Sequence, residues 1–175
     1  MPASGRMEPR TIDYSDVSFD VLGDLLSFYA RSMSIALNRD YDQAISQVEL
    51  AHGTGKVSVL LMVHANPGIR PSVIAHFIQR DRSAMARLLE QMKGHGLIEH
   101  KIDAEERRAH ELYLTPKGEK LVDQVRRIAR EQSDRFFGVL DKGDQAQLLR
   151  ILKRLYEHHV SPLPNRHGNP SEAAA

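Results

Sequence analysis

Gly94-His95-Gly96-Leu97-Ile98-Glu99 and Leu112-Tyr113-Leu114-Thr115-Pro116-Lys117-Gly118 bracket the charged segment Asp103-Ala104-Glu105-Glu106-Arg107-Arg108. The glycines end a helix, the two apolar runs alternate as strands do, and Thr-Pro is a cap followed by a first helical residue. The order is helix, strand, basic turn, strand, helix. The turn is too long for a two-residue hairpin and too charged to be buried. A two-stranded ribbon with arginines at its tip, beside a pair of short helices, is a device for gripping duplex DNA in two grooves at once.

The pair of short helices lies immediately upstream. Pro71 opens a brief helix with Ile74, Ala75 and Ile78 on its inner side. Asp81 is placed to cap the next, in which Met85, Leu88, Leu89 and Met92 point inward and Arg82, Ser83, Ala86 and Arg87 are left outside. Taken alone, that outer face would be a solvated helix surface; beside a basic wing it becomes a recognition helix. Before this pair, Val57, Leu60, Leu61 and His64 predict a helix that Asn66-Pro67-Gly68 stops.

Farther out the chain is helical. Val21, Leu22, Leu25, Leu26, Tyr29, Met33 and Leu37 predict one helix from about Ser18 to Asn38. Ile45, Val48 and Leu50 predict a shorter piece before Gly53-Thr54-Gly55 breaks the chain. After Thr115 a long helix passes through Leu121, Val125, Ile128, Phe136 and Leu140, and a last one carries Leu148, Ile151, Leu152, Leu155 and Tyr156. Apolar faces at both ends need a cover.

The chain therefore reads as mainly α with a small sheet (α+β), a winged helix-turn-helix flanked by N- and C-terminal helices whose apolar faces are uncovered. The expected parts are a tail over residues 1–15, N-terminal helices over 16–52, a DNA-binding domain over 53–115, C-terminal helices over 116–160 and a tail over 161–175.

Composition bounds the alternatives. With 175 residues the chain can bury one core. Zero cysteines exclude a disulfide framework, a thiolate zinc site and a thiol switch. No apolar run approaches the roughly 18 residues that cross a bilayer, and Met1-Pro2-Ala3-Ser4-Gly5-Arg6 lacks the apolar stretch of a signal peptide, so no membrane partner and a cytoplasmic location are expected. The net charge is only +1. Residues 1–65 carry five basic and eight acidic side chains, residues 66–120 ten and eight, and residues 121–175 nine and seven, so position and not number must favour DNA.

Enzyme chemistry finds no support. There is no Gly-x-Gly-x-x-Gly after a strand, no Walker pattern and no Gly-x-Ser-x-Gly; Gly53-Thr54-Gly55-Lys56 is the nearest approach to a phosphate loop and lacks its strand and spacing. Nine histidines raise the question of metal, but His158 and His159 are adjacent on a helix and point apart, His167 is in the tail, and His76, His95, His100 and His110 lack ligand spacing. Neither a metal nor another cofactor is expected.

Pro67-Gly68-Ile69-Arg70-Pro71-Ser72, Asp81-Arg82-Ser83, Leu88-Leu89-Glu90-Gln91-Met92-Lys93-Gly94-His95-Gly96-Leu97-Ile98, Asp103 to Ala109 and Leu114-Thr115-Pro116-Lys117-Gly118 resemble, in this order and spacing, the multiple-antibiotic-resistance regulator (MarR) family. The register holds without gaps from about Thr54 to Val125. The resemblance implies a homodimer in which the N- and C-terminal helices, residues 16–52 and 116–160, form a dimerisation domain, and a transcriptional regulator, usually a repressor, released from its operator by a small molecule that is often a phenol or aromatic carboxylate. Five positions depart from the pattern. Ala84, Met85 and Ala86 replace hydroxyl and branched residues in the recognition helix, Glu106 stands where aspartate is usual, and Arg70 occupies the usual Ser or Thr cap.

The expected DNA-binding residues are Ser72 at a backbone phosphate, Arg82, Ser83 and Arg87 in the major groove, Arg80 and Ala86 beside them, and Arg107 and Arg108 at the wing. Dimerisation is assigned to Leu22, Leu26, Leu148, Leu152, Leu155 and Tyr156, and an effector pocket to Tyr29, Met33 and His64, for which core packing is the plainer alternative. The expected partners are double-stranded DNA, a second copy of the chain and a small effector. The competing readings are a winged-helix module that binds an acidic protein, and a metal-sensing regulator.

Overall fold

A computed structural model describes residues 13–46, 48, 54–102 and 110–160. The chain divides into two units, Met1–Leu37 and Asn38–Ala175.

In the first unit, 3-10 turns at Tyr14–Asp16 and Asp20–Asp24 precede α1 (Leu26–Ile45), which ends in the second unit. The single helix predicted from about Ser18 to Asn38 is therefore corrected at both ends. Asp20 takes a left-handed φ of 48° and Leu25 is extended, so no helical ladder can run through them. The Tyr29 hydroxyl donates to the Gly23 carbonyl at 3.1 Å, and the rings of Tyr14, Phe19, Phe28 and Tyr29 pack in series at 5.1–5.7 Å. No breaker stands between Asn38 and Ile45, so the helix continues and Ile45 is its buried last residue, not part of a separate piece. Leu50 lies outside the described residues.

The second unit holds α2 (Thr54–Ala65), α3 (Pro71–Phe77), α4 (Arg82–Gly94), β1 (Ile98–Ile102), β2 (His110–Leu114), α5 (Pro116–Phe136) and α6 (Lys142–His159). Gly55, expected in a chain break, sits in the first turn of α2. Pro71 occupies the first position of α3, and Arg70 provides no side-chain cap there. The Asp81 carboxylate caps α4, accepting from the Ala84 N–H at 2.7 Å.

Helix α4 ends in a Schellman motif: Leu97 N–H donates to Met92 O at 3.0 Å and Gly96 N–H to Lys93 O at 2.8 Å, with Gly96 at φ 67°. This stop delivers the chain directly into β1, which pairs antiparallel with β2 in the register Ile98↔Leu114 through Ile102↔His110. Thr115 caps α5 by accepting from Gly118 N–H at 3.1 Å, and its hydroxyl donates to the Gly96 carbonyl. The helix stop, the strand pair and the next helix start are thus tied together. A Cβ on Gly118 would run into the Leu97 carbonyl oxygen, which is why glycine stands in the first turn of α5.

Sequence patterning does not anticipate the pairing on the other edge of β2. Gly68 N–H donates to Leu112 O at 2.9 Å and Leu112 N–H to Ile69 O at 3.2 Å, a one-residue bridge that fastens the α2–α3 turn to the wing. Gly68 allows it by taking φ 86° against the Tyr113 hydroxyl. The core of this unit joins Val59, Leu60 and Val63 of α2, Ile74 of α3, Met85, Leu88, Leu89 and Met92 of α4, Ile98 and Leu112 of the strands and Val122 and Val125 of α5.

Two further departures concern the C-terminal helices. Helix α5 stops at Phe136, before the expected Leu140, because Gln145 reaches back to donate to Phe137 O at 3.0 Å and Leu140 O at 2.9 Å and closes a turn there. Inside α5, Gln132 is a buried polar side chain whose amide donates to the Asp40 carboxylate at 2.7 Å; Arg135 donates to the same carboxylate at 3.0 Å. Helix α6 has no buried residue at all.

Candidate nucleic-acid interface

The outward face of α4 follows from its inward one. Met85, Leu88, Leu89 and Met92 occupy one stripe in the core, so helical geometry leaves Arg82, Ser83, Ala86 and Arg87 exposed, as the sequence predicts. Ser83 is already engaged: its hydroxyl donates to Asp81 at 2.7 Å, leaving only its lone pairs for a partner. The Ala84 N–H and the Ser83 hydroxyl hold the Asp81 carboxyl below the usual carboxylate range, with Arg87 adding a smaller electrostatic pull.

Ser72 is exposed in the first turn of α3. Arg80, in the α3–α4 turn, lays its guanidinium over the first turn of α2, where Nη2 and Nε lie 2.8 and 2.9 Å from the place a Gly55 Cβ would take. Arg107 and Arg108, the expected wing tip, lie outside the described residues. The strands that would carry them are in place. Lys101 of β1 sits 4.5 Å above the Tyr113 ring of β2 and 3.1 Å from Glu99.

The three residues assigned to an effector fall in different surroundings. Tyr29 is half-buried, its hydroxyl 2.8 Å from that of Tyr14; this hydrogen bond and, less strongly, burial raise its pKa. Met33 is exposed. His64 is half-buried and its Nδ1 lies 2.8 Å from Glu119 of α5, so a polar pair joins α2 and α5 at the surface. None of the three is in the buried core. Among the described residues no group of three or more His, Asp or Glu could hold a metal.

The residues assigned to dimerisation are open. Leu22 lies in the second 3-10 turn and Leu26 at the start of α1, both exposed. On α6, Leu148 is half-buried, whereas Leu152, Leu155 and Tyr156 are exposed and, with Leu149, line one apolar groove. The Tyr156 hydroxyl donates to Phe77 O of α3 at 2.7 Å, a contact the spacing of leucines does not foretell. Missed altogether are the Arg80 guanidinium over Gly55, the Gln132–Asp40 bond and the His64–Glu119 pair. Each joins residues far apart in sequence, and only their polarity on half-apolar helices hints at them.

The MarR family model matches residues 55–110, the stretch from α2 to β2. A protein of Thauera aromatica named as a candidate transcriptional regulatory protein for the hcr operon is 26% identical over 151 residues, 86% of this chain and 90% of that protein. The uncharacterized HTH-type transcriptional regulator YybA of Bacillus subtilis (strain 168) is 30% identical over 101 residues, 58% of this chain and 67% of YybA. Among solved structures, the transcriptional repressor CouR bound to a 23-mer DNA duplex superposes with a TM-score of 0.73 at 24% identity, covering 79% of this chain and 97% of CouR. CouR has also been solved bound to p-coumaroyl-CoA, with a TM-score of 0.71 to this chain. With its winged helix-turn-helix built around a capped α4 and a two-stranded wing, the chain belongs to the MarR family of DNA-binding transcriptional regulators.

Proposed function

We propose that the chain works as a homodimeric repressor that leaves a pseudo-palindromic operator when a small aromatic or phenolic effector binds. The observation that carries the DNA half of this reading is the outward face of α4, where Arg82, Ala86 and Arg87 stand free of the core on a helix fixed by its Asp81 cap and its buried stripe. An arginine on such a face can pair bidentately with guanine O6 and N7, discriminating by about 1 to 3 kcal/mol. Ser83 accepts from a base N–H donor, Ser72 and Arg80 hold the backbone, and Arg107 and Arg108 enter the neighbouring minor groove. Residues 53–115 carry this interface.

Dimerisation falls to residues 16–52 and 116–160, through Leu22, Leu26, Leu148, Leu152, Leu155 and Tyr156. Exposed Leu149, Leu152, Leu155 and Tyr156 support this, because four large apolar side chains along one groove are a surface that a partner covers. Two-fold pairing sets half-sites about 10 base pairs apart. The effector reading rests on Tyr29, Met33 and His64, and is supported by CouR, whose solved complexes include both a DNA duplex and p-coumaroyl-CoA.

The test is to select bound fragments from the source genome, footprint the recovered operator and titrate it with wild type and Arg87→Ala. Relaxed preference for the operator over a scrambled duplex is expected from Arg87→Ala. Wild-type preference in that variant would remove the assignment. A panel of phenolic acids and their thioesters, added to the protein–operator complex, then identifies the releasing ligand.

A further inference from the structure

Helix α3 ends in a Schellman motif built on a residue that is not glycine. Arg80 N–H donates to Ala75 O at 2.9 Å and Gln79 N–H to His76 O at 3.1 Å, with Gln79 in the left-handed region at φ 52°. The Gln79 side-chain amide donates to the same His76 carbonyl at 2.8 Å and steadies that backbone. The motif takes up the Ala75 and His76 carbonyls; the carbonyl of Phe77, the last residue of α3, is met from α6, where the Tyr156 hydroxyl donates to it at 2.7 Å across 79 positions of sequence. Only Ile78, Gln79 and Arg80 separate Phe77 from Asp81, the cap of α4. A group that fixes the Phe77 carbonyl therefore fixes where α4 begins. The ring of Tyr156 has a different setting, since it lines the open apolar groove with Leu149, Leu152 and Leu155. One side chain thus has its ring in the face that wants a cover and its hydroxyl on the helix-turn-helix.

We propose that Tyr156 is a positioning residue that sets how far each α4 stands from the two-fold axis of the dimer, and so which half-site spacing the dimer accepts. The inference rests on the proposed pairing through α6 and reading by α4. Under that reading the α6 groove lies at the axis and α4 away from it, and the bond from Tyr156 to Phe77 spans the interval. Helix α6 has no buried residue to fix its place, so a directional hydrogen bond carries weight there that core packing would otherwise carry. Each added base pair turns a half-site by about 35° around the duplex, so a small change in the stance of α4 becomes a mismatch of register between the two halves. Tyr156 touches no base in this scheme; it acts through Phe77 and the turn that follows.

The experiment compares full-length wild type, Tyr156→Phe and Leu155→Ala on three duplexes: the footprinted operator, the same operator with one base pair inserted between its half-sites, and a single half-site. Pairing of each protein is measured by sedimentation, and every DNA affinity is expressed per dimer with the pairing constant of the same variant. Tyr156→Phe keeps the ring and removes the donor. It should bind the operator about fivefold more weakly, the worth of one neutral hydrogen bond, bind the single half-site as wild type does, and lose about fivefold of the preference for the operator over the inserted duplex. Leu155→Ala, which trims the same groove without touching the hydrogen bond, should weaken pairing and keep the wild-type spacing preference. A wild-type spacing preference in Tyr156→Phe would overturn the positioning role and leave the pairing and α4 readings standing. An equal loss on half-site and operator would overturn it too, because the turn itself would then be damaged. So would a loss of spacing preference in Leu155→Ala, which would assign spacing to the seam as a whole. If wild type stays single or binds no duplex, the underlying reading fails, and the positioning role with it.

Discussion

Helices α4 and α6 are written in the same pattern and meet opposite fates. Both place large apolar residues three and four apart behind an aspartate cap: Met85, Leu88, Leu89 and Met92 after Asp81, and Leu148, Leu149, Leu152, Leu155 and Tyr156 after Asp141. In α4 every one of those side chains is in the core, Met92 at 0% exposure. In α6 none is buried, and Leu152 and Leu155 are both 49% exposed. Periodicity reports that a face wants burial; it does not say which body supplies the cover. A stripe satisfied within the chain fixes its helix against the core, whereas a stripe left open is an exposed apolar face.

That contrast can be broken by substitution. The largest effect is expected from Leu152→Asp, where a carboxylate in an apolar seam should weaken dimerisation by about 4 kcal/mol, roughly a thousand-fold. Light scattering should show one chain where wild type shows two, while circular dichroism keeps its helical signal; a variant that remains paired would place the seam elsewhere. Met92→Ala should do the reverse, leaving the pairing surface intact but costing about 3 kcal/mol in chemical denaturation through the cavity it leaves in the core. A cost below about 1 kcal/mol would mean that α4 is not anchored as its burial implies.

Gly118→Ala tests the join between wing and α5. Its Cβ meets backbone and not a flexible side chain, so about 2 kcal/mol is expected in the same denaturation assay, with no change in mass. The smallest effect concerns the cap of α4. Its hydrogen bonds depress the folded-state pKa of Asp81, so the stability it contributes is present above the ordinary aspartate value of about 4 and is lost as pH falls through the depressed one. Asp81→Asn, which can still cap but cannot titrate, should unfold with a shallower acid dependence than wild type; identical acid curves would count against the cap.

Local rules explain why so much of the winged region was legible. The Asp81 and Thr115 caps, the Gly96 stop and the inward stripe of α4 each depend on residues within one or two turns of each other, and the structure has them as the pattern predicts. The N-terminal stripe misled because Val21, Leu22 and Leu25 keep the helical period while Asp20 and Leu25 adopt backbone angles that a helix cannot use. There the Tyr29 hydroxyl, taking the Gly23 carbonyl, and a stack of four aromatic rings accompany the irregular turn, and no local propensity encodes either.

Sequence by itself determined the helices and strands of the winged helix-turn-helix, the outward set on α4 and the family, since period, caps and turns act between near neighbours along the chain. Only the tertiary structure decided that Ile69 bridges Leu112, that His64 meets Glu119, that Gln132 reaches Asp40 and that Arg80 lies over Gly55. Those pairs are separated by 25 to 92 positions, and their contacts exist because packing the core brings distant backbone within hydrogen-bonding reach, a consequence of how the elements stack and not of any residue's own preference.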